Sequence, residues 1–409
     1  MDTAPRISLK QSNRKIILNM FRESSVLSVS DVSLKTGISK PTVQKVINHF
    51  AETGYILPEG KGNSTDEGGK KPLLYSFNQL LGYVVTIHVG PDFMHSAIID
   101  MKSQILQSDF RKLDDIGIEE VTRMCADVIS DYSKSDLVQN SRIISISIAL
   151  PGIVSASEGV LVYTPHFPGW GNDYPFVGEL KKLVSVSAPI LCDNINRYQA
   201  FAEMKAGKAI GKRNFMIIDA MEEGLGSGIV VNGQLKHGAQ NFSGEIGHML
   251  LMPTSGPKCI CGGKGCFEAL VSLKRINALI NEGRKLHDNS LIFTDENNET
   301  MLKRLFAAFV QGDEFAIVIM DEIAFWFASG INNVIMINDP ELIILEGIYT
   351  TVGDSFIELI KFHLERLAYP GIERKVQIVM SDFGNERGIL GAGTYAIWSF
   401  FNQVEFYSD

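Results

Sequence analysis

Gly244-Glu245-Ile246-Gly247-His248, and then Cys259-Ile260-Cys261-Gly262-Gly263-Lys264-Gly265-Cys266-Phe267-Glu268, together hold three of the chain's five cysteines, one of its eight histidines and two carboxylates. His248, Cys259, Cys261 and Cys266 follow the spacing H-x10-C-x-C-x4-C. Three thiolates and an imidazole make a closed tetrahedral set suited to a structural Zn²⁺. Gly262, Gly263 and Gly265 allow the tight turns that bring three sulfurs to one ion. The alternative is a glycine-rich surface loop with incidental thiols, but three of five cysteines within eight residues argue against chance. Four protein ligands leave no open position, so the metal is expected to staple rather than catalyse. Glu245 and Glu268 are not needed as ligands and stay free for a substrate.

With 409 residues, two or three domains are expected, each able to bury a core. A composition 45% hydrophobic and 21% charged is that of an ordinary globular protein. No apolar run approaches the roughly 20 residues of a membrane helix. The start, Met1-Asp2-Thr3-Ala4-Pro5-Arg6, lacks a signal-peptide core. Cysteines at metal spacing point to a reducing, cytoplasmic setting. The net charge of −9 is uneven: residues 1–77 carry 11 Lys+Arg against 7 Asp+Glu (+4), the remainder 27 against 40 (−13). A basic N-terminal module on an acidic body suggests a polyanion partner for the module.

The module's pattern fits that partner. An amphipathic helix is expected from Asn13 to Arg22, a short one from Ser30 to Gly37, and a third that Ser39 caps, running to about Thr53. In the third, Val43, Val46, Ile47 and Phe50 face inward, while Lys40, Thr42, Gln44, Lys45 and Asn48 face out. Residues 58–77, with Lys70-Lys71 at a glycine-rich tip, read as a β-hairpin wing. This is the winged helix-turn-helix pattern, with Ser39, Lys40, Thr42, Gln44, Lys45, Asn48, Lys70 and Lys71 as candidate DNA contacts. The other reading is a small helical interaction domain with a solvated charged face.

From Leu80 onward the pattern is α/β. Apolar strands are expected at 81–87, 96–99, 143–150 and 190–192, with a helix over 118–134. The second half repeats the plan: strands at 215–219, 228–231, 342–345 and 376–380, helices after the cysteine loop and over 314–333, and a last helix over 389–400. Asn281 to Glu299 is a polar excursion. Periodicity alone supports α/β with two lobes.

Together these motifs resemble the ROK family of repressors, open reading frames and kinases, over nearly the whole chain. Gly-Glu-Ile-Gly-His followed by Cys-x-Cys-Gly-Gly-x-Gly-Cys-x-Glu is close to that family's signature. Gly224 to Gly233 resembles its second phosphate-side loop, and Leu150-Pro151-Gly152 and Pro165 to Trp170 its interdomain segments. The resemblance implies a duplicated actin-like or hexokinase-like (ribonuclease H-like) body. It would divide into a DNA-binding domain (1–77), a first lobe (78–198, completed by 388–409) and a second lobe with the zinc loop and a dimer interface (199–387). A winged helix ahead of the body is the arrangement of the family's sugar-responsive repressor branch, similar to repressors that answer to xylose or N-acetylglucosamine.

Departures from the kinase pattern carry the function. Kinases of the family hold Asp-x-Gly-Gly-Thr in the first hairpin, where this chain has His88-Val89-Gly90-Pro91-Asp92. Pro91 removes an amide donor, and Asp92 is expected to bring negative charge to the γ-phosphate position. The kinases' Asn-Asp pair is here Asp193-Asn194, and an amide has no useful proton affinity for general-base work. Glu346-Gly347 stands where Gly-Gly is usual on the adenosine side. Catalysis is therefore expected to be lost. Glu245, His248 and Glu268 match the family's sugar-contacting set, and Asp193 and Asn194 remain able to bond a sugar; the alternative is that they only support the zinc loop. The expected function is a sugar-responsive transcriptional regulator that binds operator DNA as a homodimer or homotetramer, with structural Zn²⁺ as cofactor and a sugar or sugar phosphate as effector. The alternatives are a sugar kinase with an appended DNA module and a regulator whose effector is a protein.

Overall fold

The computed structural model describes residues 8–62, 71–114, 116–138, 141–222, 224–294, 299–369, 375–403 and 405–407. Lys70 lies outside them. The chain begins with α1 (Leu9–Glu23), started by a reciprocal cap in which Gln11 N donates to Ser8 Oγ at 3.2 Å and Ser8 N donates to Gln11 Oε1 at 2.8 Å. Next come β1 (Leu27–Ser28), α2 (Val29–Thr36), α3 (Lys40–Glu52), β2 (Ile56–Lys61) and β3 (Leu73–Phe77). The strands form an antiparallel sheet in the order β1-β3-β2. α2 stops where Gly37 takes φ +72°, a left-handed turn that glycine adopts without strain. Ser39 stands at the start of α3 as expected, but its hydroxyl lies 2.9 Å from Thr42 Oγ1 and caps no backbone amide.

The first lobe runs β4 (Gly82–Val89), β5 (Phe93–Asp100), β6 (Ile105–Lys112), α4 (Ile118–Ser133), β7 (Arg142–Leu150), β8 (Ile153–Ser155), β9 (Val160–Tyr163), α5 (Phe176–Leu183), β10 (Ile190–Asn194) and α6 (Ile195–Ala206). Among the described residues its sheet has the order β10-β7-β4-β5-β6, with antiparallel β4-β5-β6 and parallel β4-β7-β10. Side chains alternate across the pleat. Val85, Ile87 and Val89 share a core with Val121, Cys125 and Ile129 of α4, while Val84 joins the core on the opposite face.

The second lobe restates the plan with β11 (Phe215–Ala220), β12 (Leu225–Val231), β13 (Gln234–Leu235), α7 (Phe267–Val271), α8 (Leu273–Gly283), α9 (Met301–Val310), α10 (Glu314–Asn338), β14 (Leu342–Gly347), α11 (Asp354–Arg366), β15 (Gln377–Met380) and α12 (Arg387–Asn402). Its sheet order is β13-β12-β11-β14-β15: again an antiparallel hairpin followed by parallel strands. This repeat is the two-lobed, actin-like and hexokinase-like body. α12 then crosses back to pack on β4, β7 and α6. Its Ile389, Ile397 and Phe401 share one continuous core with Ile17 and Phe21 of α1, Phe50 of α3 and Val84 of β4. The N-terminal unit is thus fastened to the first lobe through the last helix.

Candidate ligand cleft and metal centre

The parallel strands of both lobes end at a cleft that is open to solvent at its mouth. β10 delivers the first wall. Asn194 is the N-cap of α6: its Oδ1 accepts from Asn196 N at 2.8 Å and its Nδ2 donates to Gly152 O at 2.7 Å. Asn194 lines the cleft, but Asp193 does not.

Asp193 is 1% exposed. Its Oδ1 takes the Arg197 guanidinium and the Asn194 amide, and its Oδ2 lies 2.9 Å from His237 Nε2. Arg197 goes on to donate to Val154 O at 3.1 Å and Asn241 O at 2.6 Å. Asp193 is therefore placed behind the cleft wall and Asn194 on it. Successive strand residues face opposite ways, and Asp193 faces the bond between lobes behind the wall.

The cysteine loop builds the facing wall. The donor atoms of His248, Cys259, Cys261 and Cys266 all lie within 4.8 Å of one another. Cys261 and Cys266 sulfurs are 3.7 Å apart, and Cys259 Sγ lies 3.6 Å from His248 Nδ1. Those spacings match the edges of a tetrahedron around Zn²⁺ with bonds of about 2.0–2.3 Å. The donor set fits the metal. Gly265, at φ +66°, packs so closely on Met252 O that a Cβ would lie 1.8 Å from it. Only glycine closes the loop there. Immediately after, Cys266 becomes the N-cap of α7, and Glu268 in its first turn accepts from Leu225 N at 3.0 Å. Glu245, His248 and Glu268 all line the cleft. Burial, reinforced by Glu268, raises the Glu245 pKa, and His248 and Arg197 oppose that rise.

The other end of the cleft is where a kinase would hold phosphate. Gly90 N is already spent on Phe93 O at 2.8 Å, and Pro91 has no amide. The Phe93 ring lies over Gly90 so tightly that a Cβ there would meet it at 2.3 Å. Asp92, expected at the phosphate position, is exposed and outside the lining; Phe93 faces the cleft instead. His88 also lines the cleft, its pKa pushed down to about 3 by burial, with Arg387 and His95 adding to the shift, so it is neutral. Sequence reasoning named Glu346 but missed its partners: Arg387 Nη2 lies 3.4 Å from Asp219 Oδ1, and Arg387 Nε 3.7 Å from Glu346 Oε2. Glu346 is 1% exposed, and burial, with Asp219 adding to it, holds its carboxyl well above the usual range against the pull of Arg387. These groups lie far apart in sequence and only strand pairing β11–β14 brings the acids together.

On α3, Ser39, Lys40, Lys45 and Asn48 are exposed, and Thr42 and Gln44 are half-buried. Gln44 Nε2 donates to Asn48 Oδ1 at 2.8 Å and to Tyr75 Oη of β3 at 3.4 Å, joining helix to hairpin. Lys71 is exposed where β3 begins. No helix of the described residues is long and apolar enough to cross a membrane.

A model of the ROK family matches residues 84–398. The chain is 24% identical over 405 residues to the xylose repressor of Bacillus subtilis (strain 168), covering 99% of this chain and 100% of that one. It is 30% identical over 275 residues to the glucokinase of Halalkalibacterium halodurans, covering 67% of this chain and 82% of that one. Among solved structures, that of a ROK family transcriptional regulator, a homologue of the E. coli Mlc protein, superposes with a TM-score of 0.79 at 21% identity and covers 98% of each chain.

Proposed function

The chain belongs to the ROK family, and we propose that within it this protein is a sugar-responsive transcriptional repressor without kinase activity. The observation that carries the reading is the contrast between the two ends of one cleft. At one end Asn194, Glu245, His248 and Glu268 converge as hydroxyl-bonding groups. At the other, the hairpin amide of Gly90 is consumed and Arg387, 3.7 Å from the buried Glu346 carboxyl, lines the cleft. Phosphoryl transfer rests on positioned charge and metal, and the residue in the base position is an amide. Likeness to a xylose repressor along the full chain supports the same assignment, whereas the glucokinase match leaves a third of the chain uncovered.

Residues 1–77 are then a winged helix-turn-helix, residues 78–198 with 388–409 the first lobe, and residues 199–387 the second lobe with the zinc loop and the dimer contact. Zn²⁺ held by His248, Cys259, Cys261 and Cys266 supplies a rigid fold to the loop. Asn194, Glu245, His248 and Glu268 bind the sugar or sugar phosphate, and Asp193 with Arg197 positions the strand end behind them. Lys40, Thr42, Gln44, Lys45 and Asn48, with Ser39, meet the major groove, and Lys70 and Lys71 meet phosphates.

The double substitution Lys70→Ala, Lys71→Ala should lower operator affinity and reduce the slope of log K against log salt by about 1.8, at roughly 0.9 per phosphate contact. A mobility-shift series between low and moderate salt reads both. An unchanged slope would remove these lysines from the interface. ATP-dependent phosphorylation of any sugar in a coupled assay would overturn the absence of kinase activity.

A further inference from the structure

A second cavity, open to solvent, lies where α1, the β5–β6 turn, the end of α6 and the second half of α12 meet. Lys15, Arg22, Lys102 and Lys205 line it, with Glu23 the acid among the lining residues. None of the four cations makes an ion pair among the described residues. Lys15 Nζ donates to Asn402 Oδ1 at 2.6 Å, and Lys102 Nζ to Ser24 O at 3.2 Å, both neutral acceptors. Arg22 packs 4.0 Å over the Phe401 ring, donates Nη1 to Asn19 Oδ1 at 3.0 Å, and buries an Nε with no hydrogen-bond partner. Lys205 Nζ lies 5.4 Å from the Phe201 ring and 5.9 Å from the ring of Trp398, another wall residue. Burial lowers the Lys205 pKa, and Arg22 and Lys15 lower it further while Glu23 opposes them. Four cations share one lining carboxylate, that of Glu23, and the net positive field that remains is one an anion satisfies. Guanidinium and ammonium groups suit phosphate oxygens, and an aromatic wall suits a ring.

We infer that this cavity is a second effector site, separate from the interlobe cleft, and that it takes a small organic phosphate. Its walls come from both α1 and the body, so a bound phosphate ties the N-terminal unit to the first lobe in one orientation. None of its cations belongs to α3 or the β2–β3 hairpin. The assignment does not depend on what the cleft binds.

Phenyl phosphate is a suitable probe, with phenol and inorganic phosphate beside it, followed in the full chain by calorimetry and by tryptophan fluorescence. Saturable binding is expected for phenyl phosphate, weaker binding for inorganic phosphate and none for phenol. The fluorescence change should vanish in Trp398→Phe. Lys205→Gln, which removes the charge and keeps a polar side chain, should weaken binding about tenfold, the loss expected for one charged hydrogen bond. Glu268→Gln in the cleft should leave it unchanged. No saturable phenyl phosphate binding, binding indifferent to Lys205→Gln, or binding lost in Glu268→Gln would each overturn the site. Competition by operator DNA for Lys205 would overturn the small-molecule assignment in favour of a DNA-phosphate contact.

Discussion

Replacing Arg197 with methionine should destabilise the body by about 3–5 kcal/mol, the range for removing one member of a buried ion pair. The guanidinium is 2% exposed and donates to the Asp193 carboxylate, Val154 O and Asn241 O. It therefore links α6 and β8 of the first lobe to the segment leading into the zinc loop. Without it the Asp193 charge stays buried with only the partly exposed His237 and the Asn194 amide beside it. Adding Asp193→Asn to Arg197→Met should recover part of the loss, since the uncompensated charge is gone. Urea denaturation of the single and double variants measures both steps. A loss below about 1 kcal/mol for the single change, the range of an exposed pair, would mean the network is not buried in solution.

Removing the metal should have the next largest effect. One zinc per chain is expected by elemental analysis, falling to near zero in Cys261→Ser. Thiolates bind the ion only deprotonated and converged, so metal binding and loop folding are one equilibrium. The apparent Tm should drop by more than about 5 °C on chelation, given roughly 2–4 °C per kcal/mol for a body of this size. Sugar affinity should fall with it. Glu268 sits in the first turn of the helix that Cys266 caps, and Glu245 lies three residues before His248. A metal-free protein with full stability and full sugar affinity would leave the loop a glycine-rich turn with incidental thiols.

The candidate metal loop was legible because its donors are local: His248, Cys259, Cys261 and Cys266 all fall within one short stretch of chain. The strands ending in the cleft were legible because they are near-continuous apolar runs, as buried parallel strands must be. β6 was not, because Ile-Leu-Gln-Ser-Asp-Phe-Arg-Lys is an edge strand with few buried positions. Nor was α11, whose apolar stripe is broken by Glu, Lys and His on the exposed side. At the site, one-dimensional reasoning found Asp193 and Asn194 but could not tell which faces the cleft. The partners that decide it are Gly152 for Asn194 and His237 and Arg197 for Asp193. Gly152 and His237 lie more than forty residues away. Glu346 stood out in the sequence, but its partners Arg387 and Asp219 did not, for the same reason: each is an ordinary charged residue until the two lobes fold around it.

Under the proposed function, sugar in the cleft and DNA on the winged helix are coupled through the body. α12 supplies a physical route, because Arg387 at its start stands in the cleft and Phe401 near its end lies in the core of the N-terminal unit. Coupling is reciprocal, so DNA must change sugar affinity by the factor by which sugar changes DNA affinity. The decisive measurement is calorimetric sugar titration of the full chain with and without saturating operator, using the sugar that releases the protein in a mobility shift. Sugar affinity should fall about 5–150-fold in the presence of operator, a coupling of roughly 1–3 kcal/mol. Equal sugar affinity with and without operator would contradict the account.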